Sequence, residues 1–435
     1  MTKIELSTFV FFLLLSMSTQ VFSQDKQFQI FIEPANEQLV TKTIQQAIDS
    51  CAATGGGTVI FRPGTYISGT IVLKNKVALH FEKGSVLQGS TLIKDYTSGC
   101  FIQGRDLSEV MIDGEGIIDG VDCYNPHGEE GFRGPHCIRL TNCKNISIKE
   151  ITIKNAGNYA ILCWYCTNGA IENVTILAGH DGLHTNFCTD FKISGCDFRT
   201  GDDSFAGNDN TDFMVTDCQV NSSCNCFRFG CMNFTVKNCR LWGPGQYVHK
   251  IEHKAKLPNA FTHFSPRDRK PKSSSGNWLI QDVIIENVAH VYFYNFENGL
   301  WQTGQPATTV KFDNVKATGI LNAFYIIGDK DYKFDLQVQN SSFSFADGQT
   351  YKADLFEGVK MLSNSFFYAE RFNKIELTDV LLKSKDAQQL MECNDGKSVV
   401  LNQCRFVSGN SLKPFVFEKI NEEKVSGLIY NNRKM

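Results

Sequence analysis

Three short stretches of the sequence place chemically active side chains where a repeating apolar pattern would otherwise continue. They are His180-Asp181-Gly182-Leu183-His184, Asp202-Asp203-Ser204-Phe205-Ala206 and Asn225-Cys226-Phe227-Arg228. Asp181, Asp203 and Asn225 are 22 and 22 residues apart, Leu183, Phe205 and Phe227 repeat that spacing two positions on, and His184, Ala206 and Arg228 repeat it one position further. This register predicts a column of Asp181, Asp203 and Asn225, an inward column of Leu183, Phe205 and Phe227, and a second outward column of His184, Ala206 and Arg228. His180 is expected beneath Asp202. Carboxylates stacked about 5 Å apart repel, so at least one pKa must rise. Acid/base catalysis uses that asymmetry, one carboxyl giving a proton while another takes one. The competing reading of HDG and GDD is ordinary Asp/Gly turn punctuation; two such groups in register favour a site.

The elements that must position these residues are repeats. Segments 166–175, 188–197, 210–219 and 231–240 are similar, with starts 22, 22 and 21 residues apart, and a weaker copy begins at Cys143. Each alternates apolar and polar residues over one short strand and turns at Asn, Asp or Gly. A period near 22 with no helix between strands predicts an all-β fold, a single-stranded parallel β-helix whose coils stack at about 4.8 Å. Cys196, Cys218 and Cys239 then form one column and Cys166 and Cys188 another, as small apolar fillers of the interior. The pattern continues through 278–288, 309–318, 374–384 and 398–408. The one break, 254–276, is basic and rich in Pro and Ser and reads as a projecting loop. Loops 125–135 and 254–276 are expected at the ends of a cleft. At the other end, 41–54 is amphipathic, with Ile44, Ala47, Ile48 and Cys51 on one face. A helix there would cap the open end of the stack.

Residues 1–23 read as a signal peptide, with Lys3 before the apolar run 9–15, and 24–435 as one β-helix catalytic domain. No later window reaches the ~18 to 20 apolar residues of a membrane span. The expected setting is secreted or periplasmic and the expected state a monomer. A net charge of −3 argues against nucleic acid or an acidic membrane as partner. Metal-ligand spacings are absent from the sequence, so no cofactor is expected.

Residues 55–90, GEGIIDG at 114–120, HDGLH at 180–184 and TGDDSFAG at 200–207 resemble, in order and spacing, the signatures of glycoside hydrolase family 28. These are the polygalacturonases and rhamnogalacturonase-like enzymes of the pectin-lyase-like right-handed β-helix superfamily. The resemblance implies hydrolysis of a pectin-type polysaccharide with inversion. It implies Asp202 as general acid and Asp181 and Asp203 as the pair that holds and activates water. Inversion calls for roughly 6.5 to 9.5 Å between acid and base, which neighbouring coils could supply. Two motifs depart from the family. Its GHG histidine falls on Asn225, an amide that cannot titrate near neutral pH, which leaves His180 or His184 to fill that role. Its RIK motif has only His249-Lys250 nearby, with Arg228 as another cation. His180, His184, Asn225, Arg228, His249 and Lys250 are the expected substrate-binding groups. Trp164 and Tyr165 read either as a sugar-stacking platform or as corner packing. Two alternatives remain at this point, a polysaccharide lyase on the same fold and a non-catalytic glycan-binding β-helix.

Overall fold

The structure is a computed structural model that describes residues 28–435 apart from 36–37, 265–274, 297–305, 347–354, 357–358, 361, 386–388, 410–413, 432 and 435. The expected leader lies outside these residues. Successive coils pair in parallel, strand on strand, into a right-handed β-helix. The middle copies pair in the register that their spacing predicts: Leu183 opposite Phe205, Phe205 opposite Phe227, and Phe191 opposite Phe213. Inside the stack, Phe205 and Phe227 lie 4.5 Å apart at 10°. Parallel rings repeat because identical positions one coil apart are forced to within stacking distance.

Corners bend through left-handed backbone at Asn and Asp, as at Asn145, Asn168, Asp190, Asp212 and Asn233, with φ between 50° and 59°. Their short side chains tolerate that conformation. They also bond up the stack, Asn168 Nδ2 donating to Asn145 Oδ1 at 2.7 Å and Asn233 Nδ2 to Asp212 Oδ1 at 2.7 Å. The cysteines are interior thiols, fifteen of the sixteen buried and none paired in a disulfide. In the expected column the Cys196 N–H donates to Cys218 Sγ at 3.4 Å and the Cys218 N–H to Cys239 Sγ at 3.5 Å. Cys393 and Cys404 are buried in the same way.

The amphipathic segment is a helix, Thr41–Ala53, burying Ile44, Ala47, Ile48 and Cys51 against the first coil. No helix among the described residues is long and apolar enough to cross a membrane. The stretch 254–276 differs from expectation. It contains a strand, Asn259–His263, which pairs Asn225 with Asn259 and Phe227 with Phe261. Phe261 stacks on Phe227 at 5.1 Å and 13°, so the inward column continues through a coil lengthened from 22 to 34 residues. The insertion precedes the strand and hid it from the periodicity.

Phe227 lies between Phe205 and Phe261 with no exposed surface, so its loss opens a cavity that stacked coils cannot collapse. Phe227→Ala is expected to cost about 3–5 kcal/mol, read from denaturant unfolding; a change under about 1 kcal/mol would contradict this account of the core.

Candidate active site

Asp181, Asp203 and Asn225 sit where one strand of each coil begins. The Gly182 N–H donates to Asp203 O at 2.9 Å and the Ser204 N–H to Asn225 O at 2.9 Å, which fixes the three in adjacent coils. All three are almost fully buried, at 2%, 1% and 1% exposure. Asp203 accepts from Asn225 Nδ2 at 2.7 Å and from Arg228 Nε in a close ion pair. The Arg228 guanidinium lies over the Phe264 ring, 4.2 Å from its centre. His184 and Asp181 meet at 2.8 Å, Nδ1 to Oδ2, and the imidazole stacks on Tyr159 at 4.5 Å and 13°.

Asp202 is held from two loops. Arg133 Nη2 lies 3.2 Å from its Oδ2 and His249 Nε2 3.6 Å from its Oδ1. Arg133 is 5% exposed and is itself fixed by Glu130 Oε2 at 2.7 Å and Asn158 Oδ1 at 3.3 Å. The loop bearing His249 and Lys250 presses on the coils through two glycines. A Cβ at Gly179 would stand 2.1 Å from Lys250 Cε, and one at Gly201 2.2 Å from the Val248 carbonyl.

The structure gathers every expected site residue, but not in equivalent situations. His180 is 3% exposed beneath Phe132, ring centres 5.8 Å apart. Burial, then Arg133, push its pKa down to about 3, so it is a neutral packing group. Of His180 and His184, it is His184 that contacts a carboxylate, that of Asp181. Lys250 is paired with Asp122 at 3.2 Å. Tyr165, an exposed residue at φ 55°, stacks on Phe187 at 4.7 Å at a coil corner. The sequence reading did not name Arg133, Tyr159, Asn158, Asn259 and Thr262, because they reach the site from loops and from a coil outside the regular period.

One oxygen from each of Asp181, Asp202 and Asp203 lies within 4.8 Å of the others. The expected 6.5 to 9.5 Å spacing is therefore not found between these oxygens. The reason is the 2.9 Å backbone pairing of their coils, which draws the carboxylates together. The protons settle accordingly. Burial and then Asp202 raise Asp181, Arg228 and Arg133 pull it back, and it stands at about 8. Burial raises Asp203 and the neighbouring carboxylates add to it against Arg228, leaving it at about 7. Burial also pushes Asp202 up, but the His249 hydrogen bond and charge, followed by Arg133 and Arg228, outweigh it and hold Asp202 well below the usual carboxylate range. His249 is raised in turn, its burial offset by Asp202.

Asp202, Cys224 and His249 also bring three potential metal ligands within 4.8 Å of one another. The Glu252 N–H donates to His249 Nδ1 at 3.2 Å, which puts the ring proton on Nε2, the nitrogen that faces Asp202. A metal ligand at that position would need the proton on Nδ1. The residues thus fit a hydrogen-bond donor to Asp202 better than a metal.

Residues 61–241, which include Asp181, Asp202, Asp203, Asn225 and Arg228, match the family described as glycosyl hydrolases family 28. Among solved structures, the chain is similar to the family 28 exopolygalacturonase of Yersinia enterocolitica, at 14% identity over 89% of this chain and 75% of that one, with a TM-score of 0.58. It is also similar to an exopolygalacturonase of Thermotoga maritima (13% identity, 94% and 93% covered, TM-score 0.48). A third is an endo-xylogalacturonan hydrolase from Aspergillus tubingensis (14%, 93% and 94%, TM-score 0.46). No curated protein matches the chain. Fold and match together define a glycosidase on a right-handed parallel β-helix. The part that carries the carboxylates matches glycosyl hydrolases family 28, the family that the sequence resembles.

A raised carboxyl opposes folding wherever it ionises in the unfolded chain first. With a folded value of about 8 for Asp181 against about 3.9 unfolded, stability is full below the unfolded value and is lost as pH rises toward the folded one. Asp181→Asn should therefore be more stable than wild type by about 1–2 kcal/mol at alkaline pH, and the gain should vanish near about pH 4. Paired thermal melts check this, and a gain that grows toward acid would refute the charge assignment.

Proposed function

We propose that this protein hydrolyses glycosidic bonds of a pectin-type polysaccharide, with the His249–Asp202 pair as proton donor and Asp181 and Asp203 as the pair that takes a proton from water. The observation that supports the reading is the division of the carboxylates, one held acidic beside a histidine and two raised beside it. Asp202 is ionised, and Asp181 and Asp203 hold one proton between them. The His249–Asp202 pair can act as acid when His249, whose pKa Asp202 raises, is an imidazolium: a proton from Nε2, 3.6 Å away, passes through Asp202 to the leaving oxygen and leaves the neutral ring. Water adds to the anomeric carbon as that bond breaks, and its proton goes to the Asp181–Asp203 pair. Interacting carboxyls titrate as a unit, so one proton shared over this pair suffices for either partner to serve.

The cations in the site are committed internally, Arg228 to Asp203, Arg133 to Asp202 and Glu130, and Lys250 to Asp122. A galacturonate carboxylate would compete with those pairs. This favours neutral or sparsely charged pectic chains over homogalacturonan. The neighbour named as a family 28 exopolygalacturonase supports a substrate among pectic polysaccharides. Residues 1–23 fit export to the periplasm or beyond, where such polymers are met.

Inversion is the outcome that the family resemblance implies. A second reading rests on the carboxylate oxygens within 4.8 Å of one another. That is closer to the roughly 5–5.5 Å of retaining enzymes, in which a carboxylate attacks carbon before water does. The anomer first released, read by NMR on a panel of pectic polysaccharides and rhamnogalacturonan, separates the two. Asp202→Asn is expected to lower kcat by about 10²–10⁴-fold with the fold intact, and near wild-type turnover would refute the assignment. His249→Gln should remove the alkaline limb of the kcat profile, because activity carried by a raised donor is lost as pH climbs through its pKa.

A further inference from the structure

Above Asn225 the site column continues through residues that play no part in the chemistry derived so far. Asn225 is in register with Asn259, and Asn259 with His290. Asn225, Asn259, Thr262 and His290 are exposed by 1%, 1%, 2% and 3%. Asn259 Nδ2 donates to Asn225 Oδ1 at 2.9 Å and to Thr262 Oγ1 at 3.1 Å. The Thr262 hydroxyl donates to the same Asn225 oxygen at 2.7 Å. His290 Nδ1 lies 2.8 Å from Asn259 Oδ1, and Asn225 Nδ2 lies 2.7 Å from Asp203 Oδ1.

We propose that His290, Asn259 and Thr262 are positioning residues: they form a buried relay that holds the Asn225 amide with its N–H toward Asp203, and so keep Asp203 an acceptor. The inference rests on the reading of Asp203 as part of the proton-taking pair. A side-chain amide is nearly symmetric in shape and can present either oxygen or nitrogen to a neighbour. Facing a carboxylate, its oxygen would require a proton on Asp203, whereas its nitrogen favours the ionised form. The relay is self-consistent in two polarities. In one, donors run from His290 to an ionised Asp203; in the other, they run from a protonated Asp203 to His290. The first is the polarity present.

His290 can set it because burial pushes its pKa down to about 3, leaving a neutral ring with one proton. That proton is on Nδ1, which faces an amide oxygen. Asp203 itself is faced by Arg228 and Asn225 from its neighbouring coil, by Asp181 with His184 behind it from the other side, by Asp202 in its own turn and by the nearby Cys226 thiol. Of these, Asn225 has an orientation left open by its own shape. His290 is faced by Asn259, Phe293 and Tyr325.

The test is His290→Phe, which keeps an aromatic ring and removes the donor, with His290→Asn as the variant that can donate from the same place. The readout is the titration of the Asp203 carboxyl carbon by NMR, assigned from its disappearance in Asp203→Asn. In His290→Phe the midpoint should rise by about one pH unit and the acid limb of the kcat profile should move up with it, while His290→Asn should return both toward wild type. If His290→Phe does not fold, Thr262→Val, which removes one of the two donors to the Asn225 oxygen, should move the midpoint in the same direction by less. A lowered melting temperature with the midpoint unmoved would overturn the relay and leave only a packing role. The carbon titration is read without turnover. A shifted midpoint in a protein that hydrolyses nothing would sink the hydrolase reading alone, and an unmoved midpoint in an active one would sink the relay alone.

Discussion

Parallel backbone pairing between coils is the constraint from which the rest of this molecule follows. Each hydrogen bond such as Gly182 N–H to Asp203 O or Ser204 N–H to Asn225 O, at 2.9 Å, fixes the whole side-chain column above and below it. In the interior this is favourable, because a column of Leu183, Phe205, Phe227 and Phe261 excludes water along its length. On the outside the same rule brings Asp181, Asp202 and Asp203 together whether or not their charges agree. The fold thus imposes an electrostatic problem that other residues must relieve.

Relief comes from three directions. Arg228 belongs to the same stack and neutralises Asp203. Arg133 comes from the 128–135 stretch and His249 from the loop held against Gly179 and Gly201, and both act on Asp202. The compensation is uneven, so Asp202 is held low while Asp181 and Asp203 are raised. A carboxyl cluster divided in this way suits a reaction in which a proton leaves one side of a sugar as another is taken up nearby. Buried like charges also oppose folding, so the site is a place where stability and chemistry pull apart.

The compensation also bears on recognition. A cation already engaged with a buried carboxylate offers less to a ligand, because breaking the pair exposes an uncompensated charge. Arg228 and Arg133 are engaged in this way, while Lys250 pairs with the exposed Asp122. The departures from the family pattern at Asn225 and at His249-Lys250 therefore belong together. Asn225 gives Asp203 a neutral donor in place of a titrating one, and His249 attends to Asp202.

The sequence by itself determined the coil, its period, the inward and outward columns, the capping helix and the three carboxylates. Each depends on a local rule, alternation of apolar and polar residues with an Asn, Asp or Gly corner, repeated at fixed spacing. It also placed Asn225 in the column of Asp203, one period away, and Arg228 in the neighbouring outward column, one period from Ala206. The period failed where an insertion lengthened a coil, so Asn259, Thr262 and Phe261 were read as loop. It could not reach Arg133, 69 residues before Asp202, or separate the buried His180 from His184 in contact with Asp181. Those depend on how loops fold back across the face, and no spacing encodes that. The proton distribution was likewise decided only in three dimensions, because it depends on distances and burial among groups from five separate segments.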